Sequence, residues 1–204
     1  MSKRQKKGWS LDETMDRKYA IGIVHLYTQE ENKFYKTLNK EMRENYPADT
    51  NIWKRSGDLI NRGIDILGPT EHTIVYRGCT ELNDLPVKGR TFTFNQIIST
   101  TLDRETAKDF TDCKDGYFFE ISNVYGVLVD DYSQYGYEEE VMIKSYYVFK
   151  VFEEHQTTEG YIVYKLDGQS DSYGRSESNS GNRAYSGILM QCLIVVITIL
   201  TLGK

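Results

Sequence analysis

The sequence predicts an α+β domain, a helical first half followed by a strand-rich second half. Apolar residues recur at four-residue spacing early in the chain, Phe34, Leu38 and Met42, then Ile60 and Ile64. That is the spacing of one helix face. Short β-branched and aromatic runs then replace the pattern, beginning with Thr73-Ile74-Val75-Tyr76. Hydrophobic residues make up 39% of the 204 positions against 27% charged, enough apolar content to build a core rather than a disordered chain. Helices first and strands later make an α+β arrangement, and the length suits one compact domain plus a tail.

In chain order, residues 1–11 form a basic polar tail carrying Lys3, Arg4, Lys6 and Lys7. No apolar stretch follows that cluster, so it does not read as a secretory leader. Residues 12–166 are the expected domain. Pro47 and the Pro69 region break its helical runs. The first strand, Thr73–Tyr76, is expected to close at Gly78. Tyr117–Ile121, Val141–Ile143, Tyr147–Val151 and Tyr161–Tyr164 are the further strand candidates. Between strands lies one short helix, with Asp103 as N-cap and Ala107 and Phe110 facing inward. Residues 167–187 are a Ser-, Gly- and Asn-rich linker. Residues 188–202, ILMQCLIVVITILTL, are nearly uncharged. The run is short of the roughly 20 residues that span a bilayer as a helix. It fits the apolar end of a lipid-anchor signal better, with Ser178-Asn179-Ser180-Gly181 as the attachment region. A retained membrane helix or a buried element of the domain is the alternative.

Charge and motif content exclude several functions. With 25 basic and 30 acidic residues the net charge is −5, which argues against general affinity for nucleic acid. Cys79, Cys113 and Cys192 are too few for a disulfide scaffold and lack zinc-site spacing. His25, His72 and His155 are far apart, so no metal centre is expected. No Gly-x-Gly-x-x-Gly motif supports a doubly wound dinucleotide fold.

Three local features bear on chemistry. Tyr76-Arg77-Gly78 ends the first strand, where an arginine fork can meet a phosphate or carboxylate and a glycine admits close approach. A surface arginine before a turn is the plainer reading. Phe94-Asn95-Gln96-Ile97-Ile98-Ser99-Thr100-Thr101 ends in three hydroxyl residues. These either cap the next helix or line a polar site with Ser99 directed inward. Glu138-Glu139-Glu140 precedes Val141-Met142-Ile143. Three adjacent acids are ordinarily a solvated loop, but strand alternation starting here would turn Glu138 and Glu140 to one face. Two carboxylates on one face can divide labour, one against a developing cation and one on a proton.

In this order the three features resemble the arginine-specific mono-ADP-ribosyltransferases, with Arg77, Ser99-Thr100-Thr101 and Glu138-Glu139-Glu140 matching the family's arginine strand, Ser-Thr-Ser strand and Glu-x-Glu turn. The likeness runs over about residues 18–152 and includes the helical stretch AIGIVHLYTQEENKFYKTLN. It implies a helical half packed on a two-sheet β core with an NAD cleft. It implies NAD as substrate, with NADP as the alternative, no metal, and an arginine-bearing protein as acceptor. Glu140 would stabilise the charge that builds on the ribose as the nicotinamide bond breaks. Glu138 would hold the acceptor guanidinium and help remove its proton. Arg77 would anchor the NAD phosphates or the adjoining ribose, Gly78 would offer backbone groups to the nicotinamide amide, Ser99 would orient Glu140, and Phe110 would stack on the nicotinamide ring. An NAD glycohydrolase using the same site and a non-catalytic NAD-binding module are the competing functions. The apolar C-terminal run points to membrane association, at the cell surface if lipid-anchored. The missing leader leaves a cytosolic domain or a start further upstream as the alternative. No cysteine precedes Cys79, so the disulfide that ties the domain ends in secreted members is not expected.

Overall fold

A computed structural model describes residues 11–31, 33–44, 52–111, 116–133, 138–158 and 160–169. Pro47, most of the basic tail, the linker beyond residue 169, the apolar run 188–202, Cys113 and Cys192 lie outside the described residues. Three helices come first: α1 (Leu11–Thr28), α2 (Phe34–Glu44) and α3 (Ile52–Leu67). The strands are β1 (Thr70–Cys79), β2 (Thr91–Phe92), β3 (Ile98–Thr101), β4 (Tyr117–Leu128), β5 (Glu140–Ile143), β6 (Phe149–Gln156) and β7 (Ile162–Gly168). A short helix, α4 (Arg104–Asp109), sits between β3 and β4.

The four-residue spacings mark the buried faces of the helices. Phe34, Leu38 and Met42 of α2 and Ile60 and Ile64 of α3 are all buried. With Ala20, Val24 and Tyr27 of α1 they pack on Ile97, Val127 and Met142 from the sheet side. Each fully buried aliphatic side chain contributes about 1.5–3 kcal/mol, so this layer fixes α1 and α2 firmly over the sheet. α3 stops at Leu67, where Gly68 takes a left-handed φ of 84° and donates back to the Ile64 and Asp65 carbonyls, a common way to end a helix.

The α+β arrangement is the one expected, but the strands join differently from two separate sheets. They form one seven-stranded ladder in the order β1-β3-β5-β4-β7-β6-β2, with β1 also pairing β4. The reason is the length of β4. Along residues 117–126 it pairs β1 antiparallel, along 117–122 it pairs β7 parallel, and at Val127 and Leu128 it reaches β5. A second core of Phe92, Phe94, Phe119 and Phe149, with edge-to-face contacts at 4.9–5.7 Å between ring centres, fills the far side.

Several boundaries move. β1 does not close at Gly78 but runs through it, because Gly78 pairs with Phe118 and Cys79 with Tyr117. β7 extends to Gly168, paired with Phe149, past the expected domain end at 166. β4 is more than twice the length of its Tyr117–Ile121 candidate. α4 starts as predicted: Asp103 is its N-cap, and its carboxylate accepts from the Glu105 and Thr106 amides. Ala107 is buried as expected, whereas Phe110 is 55% exposed. It is the C-cap of a six-residue helix, too short for its last residue to turn back into the core.

Candidate active site

β1, β3 and β5 lie side by side, with Tyr76 opposite Thr101 and Thr101 opposite Glu140. Adjacent strands are about 4.8 Å apart, so Arg77, Ser99 and Glu140 meet on one small patch. This patch is the floor of a cleft of about 250 Å³. Arg77, Gly78, Ser99, Phe110, Glu138 and Glu140, the six residues singled out in the sequence, all line it.

Arg77 is held from within the protein. Its Nη1 donates to the Ser99 carbonyl at 2.6 Å, and its guanidinium carbon stands 5.6 Å over the Phe94 ring. Its Nε is buried with no hydrogen-bond partner among the described residues. Arg77 also lines a second, smaller cavity with Arg43, Asn83, Asn95 and Gln96. Arg43 donates to Gln96, and burial together with the nearby Arg77 charge lowers its pKa. Glu81 and Asp84 line the same cavity, so its two guanidinium groups are matched by two carboxylates.

The hydroxyl run divides its work. Ser99 lines the cleft beside Glu140, and its hydroxyl opposes the upward push of burial on the Glu140 pKa. Thr100 Oγ1 donates to the Val141 carbonyl at 2.8 Å. Thr101 Oγ1 donates to the Glu138 carbonyl at 2.6 Å and accepts from the Asp103 amide at 3.0 Å. The plain expectation that these hydroxyls cap the next helix therefore holds only for Thr101, and indirectly. Ser99 belongs to the cleft.

Glu138 and Glu140 share the cleft while Glu139 is exposed, but simple alternation is not the cause. β5 begins only at Glu140. Glu139 takes a left-handed φ of 47°, and that turn brings Glu138 round to the same side. A non-glycine residue held there stores on the order of 1 kcal/mol of strain. The strand ladder takes it up: Glu139's carbonyl accepts from Leu102, Glu140's carbonyl accepts from Val129 at 2.9 Å, and Glu140's amide donates to Asp130 Oδ1 at 3.2 Å.

Burial pushes the Glu140 carboxyl up to about 7; the Ser99 hydroxyl and Arg77 oppose the shift, and Glu138 and Asp130 add to it. Burial and the Glu30 charge also raise Glu138. Two neighbouring carboxyls of perturbed acidity in a cleft are a signature of proton and charge chemistry. Among the described residues no group of three or more His, Cys, Asp or Glu side chains is placed to hold a metal.

Gly78 also has a packing role at the site. A Cβ here would lie 2.0 Å from the Ala107 carbonyl oxygen and 3.1 Å from Phe110 Cβ, so the bare α-carbon is what lets α4 sit against β1. Gly78→Ala is expected to displace α4 and Phe110, with a loss of about 2 kcal/mol or more in urea unfolding.

Four cleft or near-cleft residues were not singled out in the sequence. Tyr27 and Thr28 end α1, Glu30 lies in the turn after it, and Tyr35 begins α2. Tyr35 donates its hydroxyl to Glu30; burial and Glu30 hold the Tyr35 phenol well above the usual range. The available signal was polar residues within an otherwise apolar face, such as Asn39 beside Leu38. It cannot be told from a satisfied core polar group until the partners are seen.

The family model NAD:arginine ADP-ribosyltransferase matches residues 2–173. Among curated proteins, NAD(P)(+)–arginine ADP-ribosyltransferase 2 of Gallus gallus is 34% identical over 77 residues, 38% of this chain and 24% of that protein. The match thus spans about a quarter of that relative's length. Among solved structures, Exoenzyme S from Pseudomonas aeruginosa, in complex with human 14-3-3 protein beta and bound to carba-NAD, aligns with a TM-score of 0.60 at 15% identity, covering 90% of this chain and 92% of that one. The eukaryotic mono-ADP-ribosyltransferase ART2.2 aligns with a TM-score of 0.60 at 20% identity, covering 90% and 74%. At such identities the likeness shows the fold.

Proposed function

Because the chain belongs to the NAD:arginine ADP-ribosyltransferase family, we propose that it transfers ADP-ribose from NAD to the guanidinium of a protein arginine and releases nicotinamide. The observation that carries this reading is the Glu138–Glu140 pair in one cleft, with half-buried Glu140 beside Ser99 and Arg77. The same cleft fits the donor chemically. Arg77 on its floor suits a pyrophosphate, and exposed Phe110 offers an aromatic face to the nicotinamide. NADP, one phosphate larger, is the alternative donor.

Each residue then has one task. Glu140, ionised above about pH 7, faces the ribose carbon and stabilises the positive charge that develops as the bond to nicotinamide breaks; a fixed group of this kind supplies about 3 kcal/mol or more. Ser99 keeps that carboxylate in place. Glu138, in the same cleft, binds the incoming guanidinium and takes its proton, because an arginine is a nucleophile only once a proton leaves. Arg77 grips the phosphates while its own position is fixed by the Ser99 carbonyl. The apolar run 188–202 supports attachment of the domain to a membrane, on sequence grounds alone.

The test is nicotinamide release by the full chain at pH 8, with NAD alone and with NAD plus agmatine. Acceleration by agmatine is expected. NAD left intact in both mixtures would overturn the reading, and release indifferent to agmatine would replace it with a glycohydrolase.

A further inference from the structure

We propose that Asp130 is a positioning residue: its carboxylate holds the backbone amide of Glu140 and so sets where the Glu140 side chain enters the cleft. The inference rests on the proposed role of Glu140 and adds to it a residue from the turn after β4. Asp130 is half-buried, and its Oδ1 accepts from the Glu140 amide at 3.2 Å. Glu140 is the first residue of β5, so this contact fixes the point at which that strand begins.

The strand ladder explains why a side chain is needed there. In an antiparallel pair, every second pair of opposed residues exchanges both of its backbone hydrogen bonds. Val127 faces Met142 and Leu128 faces Val141, so Val129 comes next, opposite Glu140. One half of their exchange is made: the Val129 amide donates to the Glu140 carbonyl at 2.9 Å. The other half would join the Glu140 amide to the Val129 carbonyl. That carbonyl instead accepts from the Tyr132 and Ser133 amides, both at 2.7 Å, because the chain turns back there. The turn thus uses both lone pairs of the carbonyl, and the Glu140 amide is left to Asp130. The opposite edge of β5 cannot serve. It is Glu139 that bonds toward β3, through its carbonyl and the Leu102 amide, and successive residues of a strand bond to opposite edges.

The turn is itself fastened to the helical layer. His25 of α1 places Nδ1 2.7 Å from the Tyr132 carbonyl oxygen. A carbonyl only accepts, so Nδ1 carries the proton, and Nε2 accepts from Gln29 Nε2 at 3.1 Å. Arg17 donates to the Tyr132 hydroxyl at 3.3 Å, and Tyr132 packs against the helical core. Glu140 is therefore located from two sides, by Thr101 opposite it on β3 and by Asp130 on a turn anchored to α1. An asparagine has the same shape and the same accepting oxygen, without a second negative charge beside Glu140. What the carboxylate adds is the stronger bond that a charged acceptor makes to an amide.

The experiment compares the unaltered full chain with Asp130→Ala, with Asp130→Asn, and with Asp131→Ala as a control at the exposed neighbouring position. Two quantities are read: hydrogen exchange of the Glu140 backbone amide by nitrogen-15 NMR, and kcat with the KM for NAD in nicotinamide release. In Asp130→Ala the amide exchanges about tenfold faster or more. Its kcat falls about tenfold while the KM for NAD stays within about twofold, because the reacting carboxylate is displaced and the NAD contacts are not. Asparagine keeps the accepting oxygen, so Asp130→Asn brings both quantities back to within about threefold of the unaltered protein. Asp131→Ala leaves both within about twofold. An unchanged exchange rate or an unchanged kcat in Asp130→Ala, an Asp130→Asn as impaired as Asp130→Ala, or an equal loss in Asp131→Ala overturns the inference. Exchange is read without turnover, so failure of the enzyme reading would show separately, as absence of nicotinamide release by the unaltered chain.

Discussion

Glu140→Gln is expected to lower nicotinamide release at pH 8 by about a thousandfold or more while leaving the fold intact. Glutamine has the same shape, so packing under the cleft is preserved. What is lost is the negative charge, at a half-buried position on the cleft wall. Losing one preorganised group that acts on developing charge costs about a hundred- to a thousandfold, and a full charge beside the reacting carbon lies at the upper end. The same group predicts a pH effect. Glu140 is raised from 4.5 to about 7, so activity rises with pH through about 7 as the carboxylate forms.

Stability runs the opposite way. Between pH 4.5 and about 7 the folded state keeps a proton that the unfolded chain releases. The stability tied to this group is complete below about 4.5 and is lost as pH rises through 7. The loss is on the order of 2 kcal/mol once solvent at the cleft is allowed for. A neutral glutamine does not suffer it. Glu140→Gln should therefore melt higher than the unaltered protein at pH 8 and at about the same temperature at pH 4. A variant that is more stable but inactive is the mark of a residue held in an unfavourable state for its chemistry.

Glu138→Gln is expected to separate two activities that Glu140→Gln removes together. Glu138 lines the same cleft, burial and the nearby Glu30 charge raise its pKa, and its carbonyl is pinned by Thr101. The substitution leaves that backbone contact untouched and removes only the charge and the proton acceptor. Transfer to agmatine should fall by about a hundredfold or more. Hydrolysis of NAD without acceptor should stay within several-fold of the unaltered rate, because water needs neither a cation-binding group nor much help with its proton. Equal loss of both activities would place Glu138 with Glu140 in breaking the nicotinamide bond.

How much of this was legible in the sequence depended on whether a feature was local. The helical faces of Phe34, Leu38 and Met42 and the Asp103 cap were readable because periodicity and capping act within a few residues. The Arg77, Ser99 and Glu-x-Glu motifs stood out through their order along the chain. What drew them together was the register β1–β3–β5, which depends on pairings tens of residues apart. The Glu139 turn was misread as strand alternation because a left-handed φ on glutamate has no sequence signature. Gly78 was read as a strand end because its real constraint, the Ala107 carbonyl, belongs to α4. Tyr27 and Asp130 were invisible for the same reason: a polar residue discloses its purpose only through its partners.

The most direct test is transfer of labelled ADP-ribose from NAD to agmatine by the unaltered full chain at pH 8, measured together with nicotinamide release. Labelled ADP-ribosyl-agmatine in amounts matching the nicotinamide released, and growing with pH through about 7, is the predicted result. Nicotinamide without labelled agmatine, or neither product, would contradict it.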